Sequence, residues 1–460
     1  METSKILSQE IQTLLETKQT DQLGQLLGTS HPATIAETIS GLTPEQIWQV
    51  LGVVGDEQRA EVFSHLDADL QSATALSLSR AQLVGLLTHM SPDDRVDLFK
   101  RIPEEQAESV LPALAQAERE DIRKLAAYPE GSAGSIMTSE YATLPVQISA
   151  GEAIAKLRRE APDKETIYYS YVVDEGRHLI GLVTLKDLIL ARPEMTVEQI
   201  MQREVIQATV LEDQEEAARK ISRYDLLALP VVNEKGVLVG IVTYDDAMDV
   251  LNQEHTEDME KFMAIAGKHE EYPYLRTPVW LHFRNRVVWI IVLAALGLIS
   301  GFVIRSFEAT LVNLLILATY MPMLADTGGN AGSQSATVVI RALALGQIST
   351  KDTLRILWKE LRISTLLSAV LGVLTFGRVV LLTSGAELPV GMTLLAVGLA
   401  ISLALALQVI TAALVGALLP MVASWFKADP AVVASPALTT VVDITGLLIY
   451  FSTVKLLLRI

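Results

Sequence analysis

Through the first 128 residues, apolar positions recur every three or four residues between short breaks of Pro, Asp and Ser, as in "SPDDRVDLFKRIPEEQAESVLPALAQAEREDIRKLA". That spacing predicts short amphipathic helices, with Asp and Glu crowding their starts, where the helix dipole favours negative charge. The pattern also repeats. Arg59-Ala60-Glu61-Val62-Phe63 returns as Arg95-Val96-Asp97-Leu98-Phe99, 36 positions later. A period of that size fits helical hairpins stacked on one another, so residues 1–128 read as an all-α helical-repeat domain. In residues 129–251 the pattern changes to β-branched runs. "YVVDEGRHLIGLVTLKDLI" and "PVVNEKGVLVGIVTYDDAM" align without a gap, Gly181 on Gly240, 59 positions apart. Each copy predicts a strand, a polar turn, a second strand closed by Thr and a helix led by Asp, which makes a duplicated α+β unit. Residues 252–277 read as an acidic connecting helix; Asp249, Glu254, Glu257 and Asp258 are spaced so that several share a face.

From Pro278 the apolar runs lengthen. Five stretches, 287–307, 311–345, 361–383, 391–425 and 431–458, each exceed the ~20 residues that cross a bilayer, so residues 278–460 read as a five-helix transmembrane domain. The second stretch is expected to break near Gly328, where Pro322 and the Gly328-Gly329 pair interrupt it. Arg284 and Arg286 precede the first stretch, and Arg341, Lys351, Arg355, Lys359 and Arg362 run from the end of the second to the start of the third. The positive-inside rule then puts the N-terminal domains in the cytoplasm and the C-terminus outside. "METSKILSQEIQTLL" lacks the basic, apolar and small-residue parts of a secretory signal, which agrees with that orientation. The fold class is a multidomain membrane protein.

Charge divides at the same place. Residues 278–460 carry 12 Lys and Arg against 7 Asp and Glu, a net of +5, while residues 1–277 carry 25 against 47, a net of −22. So acidic a surface argues against nucleic acid as a partner and suits cations. Cysteine is absent, which excludes disulfides, thiolate zinc sites and a cysteine nucleophile. No nucleophile–base pair or phosphate-cradling loop stands out, so the chain does not read as an enzyme.

Candidate chemistry concentrates in two apolar stretches. "LTTVVDITGLL" holds one carboxylate, Asp443, and an unpaired carboxylate in hydrocarbon costs at least ~2.5–3.5 kcal/mol. "PMLADTGGNAGSQS" adds Asp326, Gly328, Gly329, Asn330, Ser333, Gln334 and Ser335, a supply of carbonyls, amides and hydroxyls. Asp326, beside the expected break, is also positioned to cap a broken helix. All are hard oxygen donors, which suit Mg²⁺ or Ca²⁺ rather than zinc or copper. One carboxylate per chain is too few for a dehydrated Ca²⁺ cage, whereas Mg²⁺ keeps several waters and takes one or two carboxylates. Two chains about a two-fold axis would bring two Asp443 groups together and match the ion's charge. A regulated transporter of another divalent cation, or of an anion, remains open beside this reading.

The duplicated unit resembles a tandem of CBS domains, the Bateman module. In that family the Thr-x-x-Asp positions matched by Thr184 with Asp187 and Thr243 with Asp246 can face a nucleotide ribose, which implies ATP or another adenine nucleotide as a ligand. The whole order of helical repeats, paired CBS domains, acidic helix and apolar segments resembles the MgtE-type magnesium channels of prokaryotes. The match is close in "PMLADTGGNAGSQS" and "ADPAVVASPALTTVVDITGLL". The resemblance implies a homodimer in the cytoplasmic (inner) membrane with one pore, in which Asp443 holds a hydrated Mg²⁺. It implies that Asp429 lies at the cytoplasmic mouth and faces the connecting, or plug, helix. It further implies that intracellular Mg²⁺ closes the pore at regulatory sites matched by Asp225, Asp246, Asp249, Glu254, Glu257 and Asp258. Glu61, Asp93, Asp94 and Asp97 are the candidates in the N-terminal domain. Ser435 stands where some members carry Asn, so ligation at the pore entrance is expected to differ here.

Overall fold

The computed structural model describes residues 2–263, 265, 274, 277–383, 388, 389, 392–430 and 436–460. Ser435 and most of residues 264–276 therefore lie outside the described residues. Two compact units result, one built on residues 1–254 and the other on the end of the connecting helix with residues 277–460.

In the first unit, ten α-helices run from Glu2–Glu16 to Gln116–Leu125 among the described residues. The 36-residue repeat has a structural basis. Arg59 donates from Nε to the Leu51 carbonyl (2.9 Å) and from Nη2 to the Val54 carbonyl (3.1 Å). Arg95 donates in the same way to the carbonyls of Leu87 (2.6 Å) and Met90 (2.7 Å). Each guanidinium thus satisfies carbonyls that the preceding helix leaves orphaned at its C-terminus, tying two successive helices together. Leu27, Ile39, Ile47, Val62, Phe63, Leu83 and Leu98 fill the core between them.

The duplicated unit forms two three-stranded sheets. β1 (Tyr141–Pro145) pairs parallel with β2 (Thr166–Val173), which pairs antiparallel with β3 (Leu179–Thr184). β4 (Ala208–Thr209), β5 (Ala228–Val232) and β6 (Leu238–Thr243) repeat that order. The duplication holds residue for residue: Gly181 pairs with Val172 and Gly240 with Val231, and each register shift follows at the next valine.

β6 leads into α1 (Tyr244–Phe262), the connecting helix. The second unit adds α2 (Val279–Ser306), α3 (Ile316–Ala344), α4 (Thr353–Leu382), α5 (Leu394–Trp425) and α6 (Pro436–Leu458). Among the described residues, α2, α4, α5 and α6 are long and apolar enough to cross a bilayer. α3 matches them with 29 residues, but "ADTGGNAGSQS" makes its middle too polar to join them on composition. Val288, Ile290, Ile291 and Leu298 of α2 are exposed, which lipid tolerates and water would not. α5 is the central helix: its buried Val397, Ile401, Leu405 and Val409 cluster with Leu317 and Leu324 of α3 and with Tyr450 and Phe451 of α6. The Tyr450 hydroxyl donates to the Leu317 carbonyl at 3.0 Å.

The expected break near Gly328 is not there. α3 runs without interruption through Pro322, Gly328 and Gly329. The glycines serve close packing instead. A β-carbon on Gly416 of α5 would lie 2.2 Å from the Gly332 carbonyl oxygen, and one on Gly328 would lie 2.3 Å from Nε2 of Gln408. Glycine costs a helix only ~1 kcal/mol per residue, and between membrane helices small residues recover that by letting backbones approach.

Candidate functional site

α3 presents two faces. Asp326, Asn330, Gln334 and Thr337, at helical spacing, are exposed on one; Gly328, Gly332, Ser335 and Ala336 are buried on the other. Asp326 sits inside this continuous helix, so it cannot cap a break. Neither Gly328 nor Gly329 offers a free carbonyl, since both lie inside the helix; Gly328 makes room for Gln408, whereas a β-carbon on Gly329 would meet only ordinary contact, 3.6 Å from Thr439. Ser335 donates to a carboxylate that the sequence reading passed over: its Oγ lies 2.7 Å from Oε2 of Glu360 on α4, which is 8% exposed.

Asp443 is half-buried on α6 and lines a cavity of about 280 Å³ together with Ser300 and Ile304 of α2, Pro322 and Ala325 of α3, and Gln408 of α5. Gln408 is the functional candidate that sequence reasoning missed. It is 1% exposed, and its Oε1 has no hydrogen-bond partner among the described residues. A buried acceptor left unmatched costs ~1–3 kcal/mol, so its retention on a helix that is apolar on either side of it needs a reason. Its signal was available: it is the lone amide in "LALALQVITAALVGALL".

At the end of α1, Lys261 joins two of the expected acids. Its Nζ lies 3.1 Å from Oδ2 of Asp429 and also contacts Oε1 of Glu257. Burial works against the Lys261 ammonium, but hydrogen bonds and charge from Glu257 and Asp429 outweigh it and raise its pKa. Burial, then the charges of Asp429 and Glu257, push the nearby Asp258 carboxyl up, with Lys261 opposing. Phe262 packs on the cluster of Ala336, Ala412, Leu438 and Val442, so the tip of α1 touches α3, α5 and α6. Asp429 thus faces the connecting helix, through a lysine the sequence reading did not single out.

In the first unit a separate group of acids forms. Asp93 is raised well above the usual carboxylate range by burial, then by Asp246, Asp94 and Glu165. One of its carboxylate oxygens is buried without a hydrogen-bond partner among the described residues. Asp246 is pushed up to about 7, chiefly by burial, with Asp245, Asp94 and Glu165 adding to it and a hydrogen bond from Thr243 opposing. Glu165 also reaches about 7, through partial burial and the charges of Glu140, Asp245 and Asp94. Asp249 is raised by burial, Asp245 and Asp94. Asp93, Asp94, Asp246 and Asp249 are therefore brought together, with Glu165 and Asp245 as members the sequence did not reveal. Among the described residues, however, no three such side chains converge tightly enough to hold a bare metal ion.

The other expected regulatory acids are engaged elsewhere or stand apart. Glu254 accepts from Gln214 Nε2 at 2.9 Å, and Asp97 pairs with Arg101 at 3.5 Å. Asp225 takes a left-handed conformation, φ 51°, at the end of the helix Gln214–Tyr224. Glu61 lies exposed on the helix Asp56–Ser64. Both Thr-x-x-Asp pairs close on themselves: Thr184 Oγ1 lies 2.6 Å from Asp187 Oδ2, and Thr243 donates to Asp246. Thr184 and Asp187 form a capping box at the start of Leu185–Leu190.

Comparison with known proteins covers both units. A family model described as a divalent cation transporter matches residues 321–453, one described as the MgtE intracellular N domain matches 30–131, and the CBS model matches 133–194 and 197–253. The chain is 37% identical over 457 residues to the magnesium transporter MgtE of Thermus thermophilus, covering 98% of this chain and 99% of that relative. It is 36% identical to the magnesium transporter MgtE of Bacillus subtilis, over 85% of this chain and 84% of the relative. A crystal structure of the cytosolic domain of the Mg²⁺ channel MgtE in complex with ATP is 37% identical, with a TM-score of 0.51 over 53% of this chain and 99% of its own.

Proposed function

This chain belongs to the MgtE family of magnesium transporters, and on that premise we propose that it imports Mg²⁺ through a pore on the Asp443 face of a homodimer. The observation that carries the reading is the cavity shared by Asp443, Gln408 and the start of the polar-faced helix α3. A carboxylate there recovers its desolvation cost when a cation arrives. Two protomers about a two-fold axis supply two Asp443 groups, enough to balance one divalent ion that keeps its waters. Asn330, Gln334 and Asp326, on the exposed face of α3, extend the polar path, and α3 is the fifth membrane-spanning helix. The membrane is the cytoplasmic (inner) membrane, with residues 1–277 inside and the C-terminus outside, as Arg341 at the end of α3, Lys351 after it and Arg355, Lys359 and Arg362 in the first turns of α4 favour.

Intracellular Mg²⁺ closes this pore. The carboxyls of Asp93, Asp94, Asp246 and Asp249 repel one another when empty, and a hydrated cation between them removes that cost. The ion binds the compact state better, and that difference in affinity draws α1 against Asp429. Lys261 and Phe262 are the contacts of α1 that hold the closed form. The paired CBS domains bind an adenine nucleotide, as the similarity to the ATP-bound cytosolic domain supports.

Asp443→Ala tests the core of this reading. It is expected to abolish Mg²⁺ uptake in a Mg²⁺-auxotrophic host while the protein still purifies as a dimer. Uptake equal to the parent protein would sink it.

A further inference from the structure

We propose that Gln408 is a selectivity residue that reads the water shell of the ion held at Asp443. The inference rests on the pore reading given above for that carboxylate. Gln408 projects from α5 and is 1% exposed, yet it lines the same cavity as Asp443. It reaches that cavity only because two neighbouring helices lack side chains. A β-carbon on Gly328 of α3 would lie 2.3 Å from its Nε2, and one on Gly446 of α6 would lie 2.1 Å away. Gly446 follows Asp443 by three positions, so the amide and the carboxylate meet the same stretch of α6.

The slot between the glycines holds the amide where no protein donor satisfies Oε1 among the described residues. An acceptor fixed in that way, beside a carboxylate, matches a ligand that brings its own donors. The waters on a divalent cation are such donors, polarised by the ion. Mg²⁺ keeps a rigid octahedron of waters, whereas Ca²⁺ carries more ligands in a flexible shell at longer distances. A rotationally fixed acceptor next to Asp443 therefore favours the octahedral shell. Gln408 acts through these waters and ligates neither the metal nor the carboxylate.

The test is Mg²⁺ and Ca²⁺ flux through the full-length protein in liposomes. Gln408→Met keeps the length of the side chain and removes its acceptor. Gly446→Ala keeps the amide and pushes it from its slot. Both are expected to elute like the parent, to lose about fivefold in Mg²⁺ flux, the worth of one hydrogen bond, and to lower the Mg²⁺/Ca²⁺ flux ratio. A purely structural glutamine would shift melting temperature without moving that ratio. A folded Gln408→Met with the parent's ratio overturns the proposal. If Gln408→Met does not fold, a folded Gly446→Ala with an unchanged ratio overturns it equally. Asp443→Ala separates the two levels. Flux persisting in that variant defeats the pore reading itself, whereas a silent Asp443→Ala beside an unaltered Gln408→Met defeats this inference alone.

Discussion

Gly332 of α3 and Gly416 of α5 meet backbone to backbone, so closely that a β-carbon on Gly416 would stand 2.2 Å from the Gly332 carbonyl oxygen. The contact holds the buried face of α3 against the central helix and leaves Asp326, Asn330 and Gln334 uncovered on the other side. The polar face of α3 thus depends on a contact that has no polar side chain in it.

Gly416→Val should separate the two helices, because the clashing atom is backbone and cannot yield. Overpacking of this kind costs ~3 kcal/mol, the upper end of the usual range. Melting in detergent should fall and Mg²⁺ flux should be lost. Gly377→Val is the control: a β-carbon at Gly377 meets nothing within 4 Å, so melting and flux should match the parent.

Arg95 and Arg59 fill equivalent places in the helical repeat but differ in exposure. Arg95 is 4% exposed, whereas the side chain of Arg59 is 22% exposed and also pairs with Asp56. Replacing Arg95 by Met leaves two carbonyls unmatched in the interior, at ~2–4 kcal/mol. Arg59→Met should cost no more than half of that, since water reaches its carbonyls. Chemical denaturation of the two variants checks the order, and equal losses would contradict it.

The gathered acids of the first unit make stability fall with rising pH. Asp246 and Glu165 titrate near 7 in the folded chain, against about 4 when unfolded. Between those values the folded state holds protons that the unfolded state has released, so their contribution is full in acid, shrinks from pH 4 to 7 and levels above. Without divalent ions, melting temperature should drop over that window, and Mg²⁺ should restore it at pH 8. Asp246→Asn should gain about 1 kcal/mol at pH 8, roughly 2–4 °C in Tm, and flatten the profile. A melting temperature indifferent to both pH and Mg²⁺ would remove the electrostatic basis for sensing.

Lys261→Ala takes away the cation between Glu257 and Asp429. The two carboxylates then face each other with Asp258 nearby, and α1 should leave Asp429 more readily. A partly exposed ion pair contributes ~0.2–1 kcal/mol, so the Mg²⁺ concentration that half-closes the channel should rise by about 1.4- to 5-fold. Neutralising Asp246, Asp249, Glu257 and Asp258 together should have a larger effect in the same direction. Patch recordings with varied Mg²⁺ on the cytoplasmic side measure both; closure at the parent's concentration in the quadruple variant would rule out these acids as the sensor.

Local pattern was enough for much of this molecule. Helical spacing and the return of Arg59 as Arg95 determined the helical-repeat domain, and the gapless alignment of Gly181 on Gly240 determined the duplicated strand–turn–strand units, though not β1 and β4 or the bulges. Both are short-range signals, carried by periodicity and by residues that act within one repeat. A lone Asp443 in an apolar run likewise marked the candidate site, because the cost of burying charge is visible in one dimension. Tertiary structure alone decided what the glycines of α3 are for. Their neighbours are Gln408, Gly416 and Val442, 80 to more than 110 positions away, so the same letters that read as a break serve as a packing surface. It also decided which acids meet: Glu165 joins Asp93 and Asp246, and Lys261 joins Asp429, while Asp225 and Glu61 do not. Charge acts through space at a few ångströms, and distance along the chain carries no record of it.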